Sequence, residues 1–191
     1  MSFSRLAAFL LLVVPVALSA QESPFHQGQW GAQFTGGLSL SSLGVIKFRS
    51  ATSATVMDLR IAGVHREEFL NDTVSEVVSQ FGVDMRLGRR RYRPVADKVV
   101  VLHSLGVLAG LNHSLSRAPF GGTFRSNGWQ LGPFVDLGAV YLVSPHLGIG
   151  ATGSATLTYS RVSSKAPAAT TASAWQLGGG TSITFAATLY F

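Results

Sequence analysis

The chain has 191 residues, 47% hydrophobic and only 13% charged, with 21 glycines, no cysteine and a net charge of +6. That length supports one domain, and the absence of cysteine excludes a disulfide framework or a thiolate metal centre. The glycines disfavour a helical bundle, since each costs about 1 kcal/mol relative to Ala inside a helix, and the positive charge is too diffuse to suggest nucleic acid.

Arg5 precedes an apolar run over 6–18, followed by Ser19-Ala20 and Gln21. A short charged region, a greasy stretch and a small-residue exit describe a secretory signal peptide. Residues 1–20 are therefore expected to be cleaved, leaving 21–191 as a single domain; an N-terminal membrane anchor is the alternative. Nothing downstream is continuously apolar for long enough to make a transmembrane helix.

Eight segments instead alternate with a period of two, as strands with one apolar face do. The first, near 28–40, sets Trp30, Ala32, Phe34, Leu38 and Leu40 against Gln33, Thr35 and Ser39. The second, near 43–50, opposes Ile46 and Phe48 to Lys47 and Arg49, and the third, near 54–65, opposes Met57, Leu59 and Ile61 to Asp58 and Arg60. The fourth, near 78–91, sets Phe81, Val83, Met85 and Leu87 against Asp84 and Arg86. The fifth, near 97–112, puts His103 in its apolar series, and a β-bulge near Ser104 would turn that ring inward. The sixth and seventh, near 127–143 and 146–160, and the eighth, near 174–191, alternate more cleanly. In the eighth, Ile183, Phe185, Ala187, Leu189 and Phe191 share one face, with Thr184 and Thr188 on the other.

Joins at 51–53, 92–96 and 144–145 are short, whereas 66–77, 113–126 and 161–173 read as longer polar loops. With an up-and-down order, Phe81, Trp129, Tyr159 and Trp175 gather at one end and Trp30, Tyr92, Tyr141 and Phe191 at the other. Two aromatic girdles are expected of a barrel embedded in lipid; a soluble sandwich or lipocalin-like barrel has no reason to sort aromatics in this way. The expected fold is all-β: an eight-stranded antiparallel up-and-down transmembrane β-barrel.

The polar faces would line a lumen holding Lys47, Arg49, Asp58, Arg60, Asp84, Arg86 and Asp136. If Asp58 faces Arg86, then Arg60 faces Asp84 and the hairpin centres on Asp72. An eight-stranded interior is just wide enough for side chains to fill, so these residues plug the barrel or, alternatively, form a gated polar conduit. Arg89, Arg90, Arg91 and Arg93 form a basic cluster at the periplasmic rim, able to hydrogen-bond lipid phosphates. The stretch 163–173, rich in Ala, Ser and Thr, reads as an external loop.

Catalytic chemistry finds little support. His103-Ser104 and His113-Ser114 are adjacent pairs, and neighbours in a strand point to opposite faces. His113 with Ser116 is the remaining combination, placed in a loop. No catalytic residue, metal site or cofactor is assigned.

An amino-terminal signal peptide, eight alternating strands, paired aromatic girdles and a closing Phe191 together resemble the small OmpA/OmpX-type outer-membrane β-barrels. The resemblance covers the mature chain as a pattern, without a catalytic motif and without the periplasmic peptidoglycan-binding domain of full OmpA-type proteins. It implies residence in the outer membrane of a Gram-negative cell, with lipopolysaccharide and phospholipid as surroundings. It also implies recognition of the C-terminal strand by the barrel-assembly machinery, and a structural or surface role toward an unidentified envelope partner. A narrow channel and a lipid A- or phospholipid-modifying enzyme are the other implied classes.

Overall fold

The computed structural model describes residues 23–36, 41–71, 74–118, 122–165 and 171–191; the expected signal peptide, Leu38, Leu40 and Asp72 lie outside them. Eight strands form one closed antiparallel ring in chain order. They are β1 (Trp30–Gly36), β2 (Ser41–Ser50), β3 (Ser53–Asn71), β4 (Val74–Ala96), β5 (Val99–Ala118), β6 (Gly122–Ser144), β7 (Leu147–Lys165) and β8 (Ala172–Tyr190). The all-β up-and-down barrel is thus the observed architecture.

Several strands outrun their apolar patterns. β3 continues to Asn71 and β6 begins at Gly122, so the connections expected over 66–77, 113–126 and 161–173 shrink to 72–73, 119–121 and 166–171. Ser163 and Ser164 pair with Ser173 and Ala172 inside the β7–β8 ladder, and His113 and Ser116 sit in β5 rather than in a loop. The physical reason is that an antiparallel ladder is made by the backbone. Pairing carries on into polar sequence for as long as the neighbour offers a partner. At the opposite end, two-residue turns at 51–52, 97–98 and 145–146 join the strands, and this end is called the turn end below.

The pleat sorts side chains as expected over most of the wall. Met57, Leu59, Val83, Met85, Leu105, Leu131, Leu137, Ile183 and Phe185 point outward, most of them strongly exposed, while Asp58, Arg60, Arg86, Asp136, Thr184 and Thr188 are buried inside. The β4–β5 and β5–β6 registers run through His103 and Ser104 without a shift. No bulge turns His103, which stays on the outer face beside Arg91.

The expectation of polar inside and apolar outside fails near the turn end. There Ile46, Phe48, Ala54, Val56, Tyr92, Val100, Leu102, Val140, Leu142 and Tyr190 pack inside the ring as an apolar core. Lys47 and Arg49 accordingly face outward, contrary to their assignment to the lumen. Tyr92, only 3% exposed, leaves the girdle for the core. The segment before β1 completes the plug. Phe25 stacks on Phe48 at 4.5 Å and lies 4.9 Å from Tyr92 and 5.0 Å from Tyr190. Gly28, at φ +87° where a side chain would be strained, turns the chain so that its N–H donates to Phe48 O at 3.0 Å. Ser23 Oγ donates to the Ala51 carbonyl.

Phe25 is held by contacts to three other rings, and aromatic pairs add about 0.5–1.5 kcal/mol each beyond their burial. Phe25→Ala is expected to destabilise the barrel by about 3–5 kcal/mol, read as a lowered urea midpoint for loss of the folded band on a gel run without heating. Gly106→Val should be worse. A Cβ there would lie 2.6 Å from both Gly88 Cα and the Phe134 ring, so the folded band is expected to disappear.

Candidate functional site

The lumen is built in three layers, and the plug is the lowest. Above it lies a charged layer on alternate positions of β3, β4 and β6, where the pleat aims side chains at the barrel axis. Asp58 stands opposite Arg86, and Arg60 opposite Asp84, along β3 and β4. The close partnerships nevertheless cross the lumen instead of following the ladder. Arg86 Nη2 donates to Asp136 Oδ1 at 2.5 Å, and Ser154 Oγ donates to the same oxygen at 2.7 Å. The Arg86 guanidinium lies 3.5 Å from the centre of the Phe134 ring, a cation–π contact strengthened by desolvation. Phe134 fits because Gly88 and Gly106 leave room beneath it.

Arg90, expected at the rim with its neighbours, is buried. It is fully inside, donating from Nε to Ser104 Oγ at 3.0 Å and from Nη1 to Gln33 Oε1 at 2.7 Å. Its position was legible from parity, since Arg86, Gly88, Arg90 and Tyr92 occupy alternate positions of β4. Gln33, Ser104 and Ser154 also belong to the network. Asp58 is buried within reach of the charges of Arg90, Arg86 and Arg60. Counting Asp84, three guanidiniums meet three carboxylates, so the layer is neutral overall. Its residual void is about 10 Å³, and a cavity needs roughly 10–15 Å³ to hold one water.

The third layer, toward the hairpin end, is open. A cavity of about 310 Å³ is lined by Arg60, Asp84, Gln130, Thr156, Thr158 and the glycines 178–180. Asp84 Oδ1 accepts from Gln130 Nε2 at 2.7 Å, with Gly110 leaving space for that carboxylate. Arg60 is buried, and its Nε has no hydrogen-bond partner among the described residues.

On the outer wall, Trp129, Tyr159 and Trp175 form a cluster near the hairpin end. Tyr159 and Trp175 stack at 5.1 Å, Trp129 meets Trp175 edge-on at 5.7 Å, and Arg161 covers Trp175 at 5.0 Å. Phe81 is exposed nearby on β4, while Trp30, Tyr141 and Phe191 are exposed at the turn end. Lys47 Nζ lies 4.6 Å over the Trp30 ring, and Arg49 Nε donates to Thr55 Oγ1 at 3.2 Å. Arg89, Arg91 and Arg93 also face outward. With Lys47 and Arg49 they form a basic outer belt at the turn end, from which Arg90 is absent. Of the histidines, His113 Nδ1 lies 2.6 Å from Asn127 Oδ1, and Ser116, three positions along β5, points to the opposite face of the sheet. His65 Nδ1 lies 2.8 Å from Ser79 Oγ on the exposed outer face, a pairing across strands that adjacency in sequence does not reveal.

No protein family and no curated protein matches the sequence. Among solved structures, the chain is similar to a major outer membrane protein from Thermus thermophilus, with a TM-score of 0.63 at 11% identity over 85% of this chain and 98% of that one. Ail, the attachment invasion locus protein of Yersinia pestis, aligns at a TM-score of 0.46 and 11% identity over 86% and 99% of the two chains. The fold is that of the small outer-membrane β-barrels.

Removing one member of a buried ion pair leaves the other charge unsatisfied, at a cost of about 3–5 kcal/mol. Asp136→Ala should lose that much in urea denaturation, whereas Arg86→Met with Asp136→Leu should recover most of it, because both charges are then gone.

Proposed function

We propose that the chain is an integral outer-membrane barrel with a structural, non-enzymatic and non-conducting role, its turn end toward the periplasm. The observation that carries this reading is one outer face of exposed apolar side chains, bounded by aromatics, around a lumen stoppered twice. Ile183 is 72% exposed, Phe185 66% and Leu137 64%. An apolar surface continuous around a protein far exceeds the patches that water-soluble monomers show, and hydrocarbon is the surrounding that removes its cost. The exposed Trp129–Tyr159–Trp175 cluster and Trp30 sit where ring edges meet headgroups.

The basic belt supports the same seating. Lys47, Arg49, Arg89, Arg91 and Arg93 lie at the level where phospholipid phosphates accept charge-assisted hydrogen bonds, and His103 next to Arg91 is then interfacial, away from the bilayer centre. Phe191 is exposed and paired through its backbone to Trp30, with its N–H donating to Trp30 O at 3.0 Å. It is thereby presented for the assembly machinery that inserts such barrels. A conduit would have to pass both the aromatic plug and a layer with room for about one water.

In planar bilayers the wild-type barrel is expected to give no discrete current steps. Phe25→Ala combined with Arg86→Ala, which thins both stoppers, should give them. Steps from wild-type protein, or a chain that stays monodisperse in buffer without detergent, would overturn the reading.

A further inference from the structure

The basic residues at the turn end are gathered on one side of the barrel. Lys47, Arg49, Arg89, Arg91 and Arg93 all belong to β2 and β4, the two neighbours of β3. At the same level β6, β7 and β8 expose Leu137, Tyr141, Ile149 and Leu189, with no cation among them.

The charge is focused on the outer face of β3. Thr55 stands between Lys47 of β2 and Arg89 of β4, and Ser53 is opposite Arg91. From the two sides, Arg49 Nε donates to Thr55 Oγ1 at 3.2 Å and Arg89 Nε donates to Ser53 Oγ at 3.0 Å. Those hydroxyls belong to same-face positions of one strand, roughly 6.5 Å apart. Each tether engages one of a guanidinium's five N–H groups and fixes its place, while a hydroxyl leaves the charge unneutralised. No carboxylate balances these side chains. Over 41–57 and 87–107 the one acid is Asp97, in the turn after β4 and next to Lys98. Among the described residues none of the five cations is in an ion pair.

Nearer mid-barrel the same outer surface turns apolar. Val45, Met57, Leu59 and Leu87 are exposed there, with Met57 between Val45 of β2 and Leu87 of β4. A cationic band with two pre-positioned guanidiniums thus borders a greasy strip on the same three strands.

We infer that this face is a binding site for an anionic phospholipid whose head carries two phosphodiesters. The Arg49 and Arg89 forks each take one phosphodiester through charge-assisted hydrogen bonds, Lys47 and Arg91 add charge, and the acyl chains run along Val45, Met57 and Leu87. A head with one phosphodiester leaves one tethered guanidinium unanswered. A zwitterionic head brings an ammonium group to a surface that offers it cations and no carboxylate. Inorganic phosphate gains nothing from the apolar strip. The inference rests on the membrane seating proposed above and names the lipid that this seating selects.

The test is native mass spectrometry of the full barrel released from phosphatidylethanolamine vesicles with equal minor shares of phosphatidylglycerol and diphosphatidylglycerol. Arg49→Gln with Arg89→Gln removes the clamp. Arg117→Gln with Arg125→Gln removes the same charge from β5 and β6 near the hairpin end. All four positions are exposed, so both double variants should give the folded band on an unheated gel. Wild type is expected to retain one diphosphatidylglycerol, in about tenfold excess over phosphatidylglycerol; the clamp variant should hold about tenfold less of it, and the control pair as much as wild type. Equal retention by wild type and clamp variant would overturn the site, as would equal loss in both double variants or displacement by inorganic phosphate. Equal retention of the two anionic lipids by wild type would overturn it whatever the variants do. A wild-type chain that does not insert into the vesicles removes the membrane seating itself, whereas one that inserts without holding diphosphatidylglycerol removes only the lipid site.

Discussion

A chain immersed in hydrocarbon must pair its backbone N–H and C=O groups with itself, because lipid offers no partner. The strands here meet that demand by closing into a ring, and most of the remaining structure follows from the closure. A ring has an inside and an outside, and the pleat sends successive residues to each in turn. The apolar residues go outward, opposite to their place in a water-soluble protein, and the charged ones meet in a narrow interior that cannot hydrate them. A layer of three arginines and three aspartates is the consequence, with Arg86 bonded to Asp136, polar side chains bonding Arg90 and Asp84, and a cation–π contact between Arg86 and Phe134.

The two ends of the barrel answer different demands. At the turn end, tight connections leave an opening that water would fill, and the chain closes it with Phe25 and the rings around it. Apolar packing inside the ring leaves the outer positions at that level to Lys47, Arg49, Arg89, Arg91 and Arg93, which face away from the barrel axis. At the hairpin end the ladders of β3 to β8 continue beyond the apolar span, while β1 and β2 stop early. The wall is therefore lowest on one side, next to the open upper layer of the lumen.

Strand number, strand order and the outward-facing apolar residues are legible from period-two alternation, since a sheet with two unlike faces writes itself directly into sequence. The placements that fail have separate causes. Lys47, Arg49 and Tyr92 were assigned by taking polar side chains as inward and rings as interfacial, a rule that holds in mid-membrane and reverses where the barrel ends. Arg90 was grouped with its neighbours by sequence adjacency, although alternation alone separates it from Arg89 and Arg91. Strand ends extend past the apolar pattern because alternation reports the outer apolar surface, whereas the ladder depends on backbone pairing.

The sequence by itself determined that the chain is a ring of eight antiparallel strands, because alternation, turn spacing and aromatic placement are local consequences of which face of the sheet each residue takes. It also offered, as a conditional pairing of complementary charges on facing strands, the β3–β4 register that the structure adopts. Only the tertiary structure decided which partners those charges take, since Arg86 reaches Asp136 across the lumen, fifty residues away in sequence. The packing of Phe25 against the rings at the turn end was likewise decided there. Both arise from how the ring closes in space, and closure joins residues whose separation along the chain carries no periodic signal.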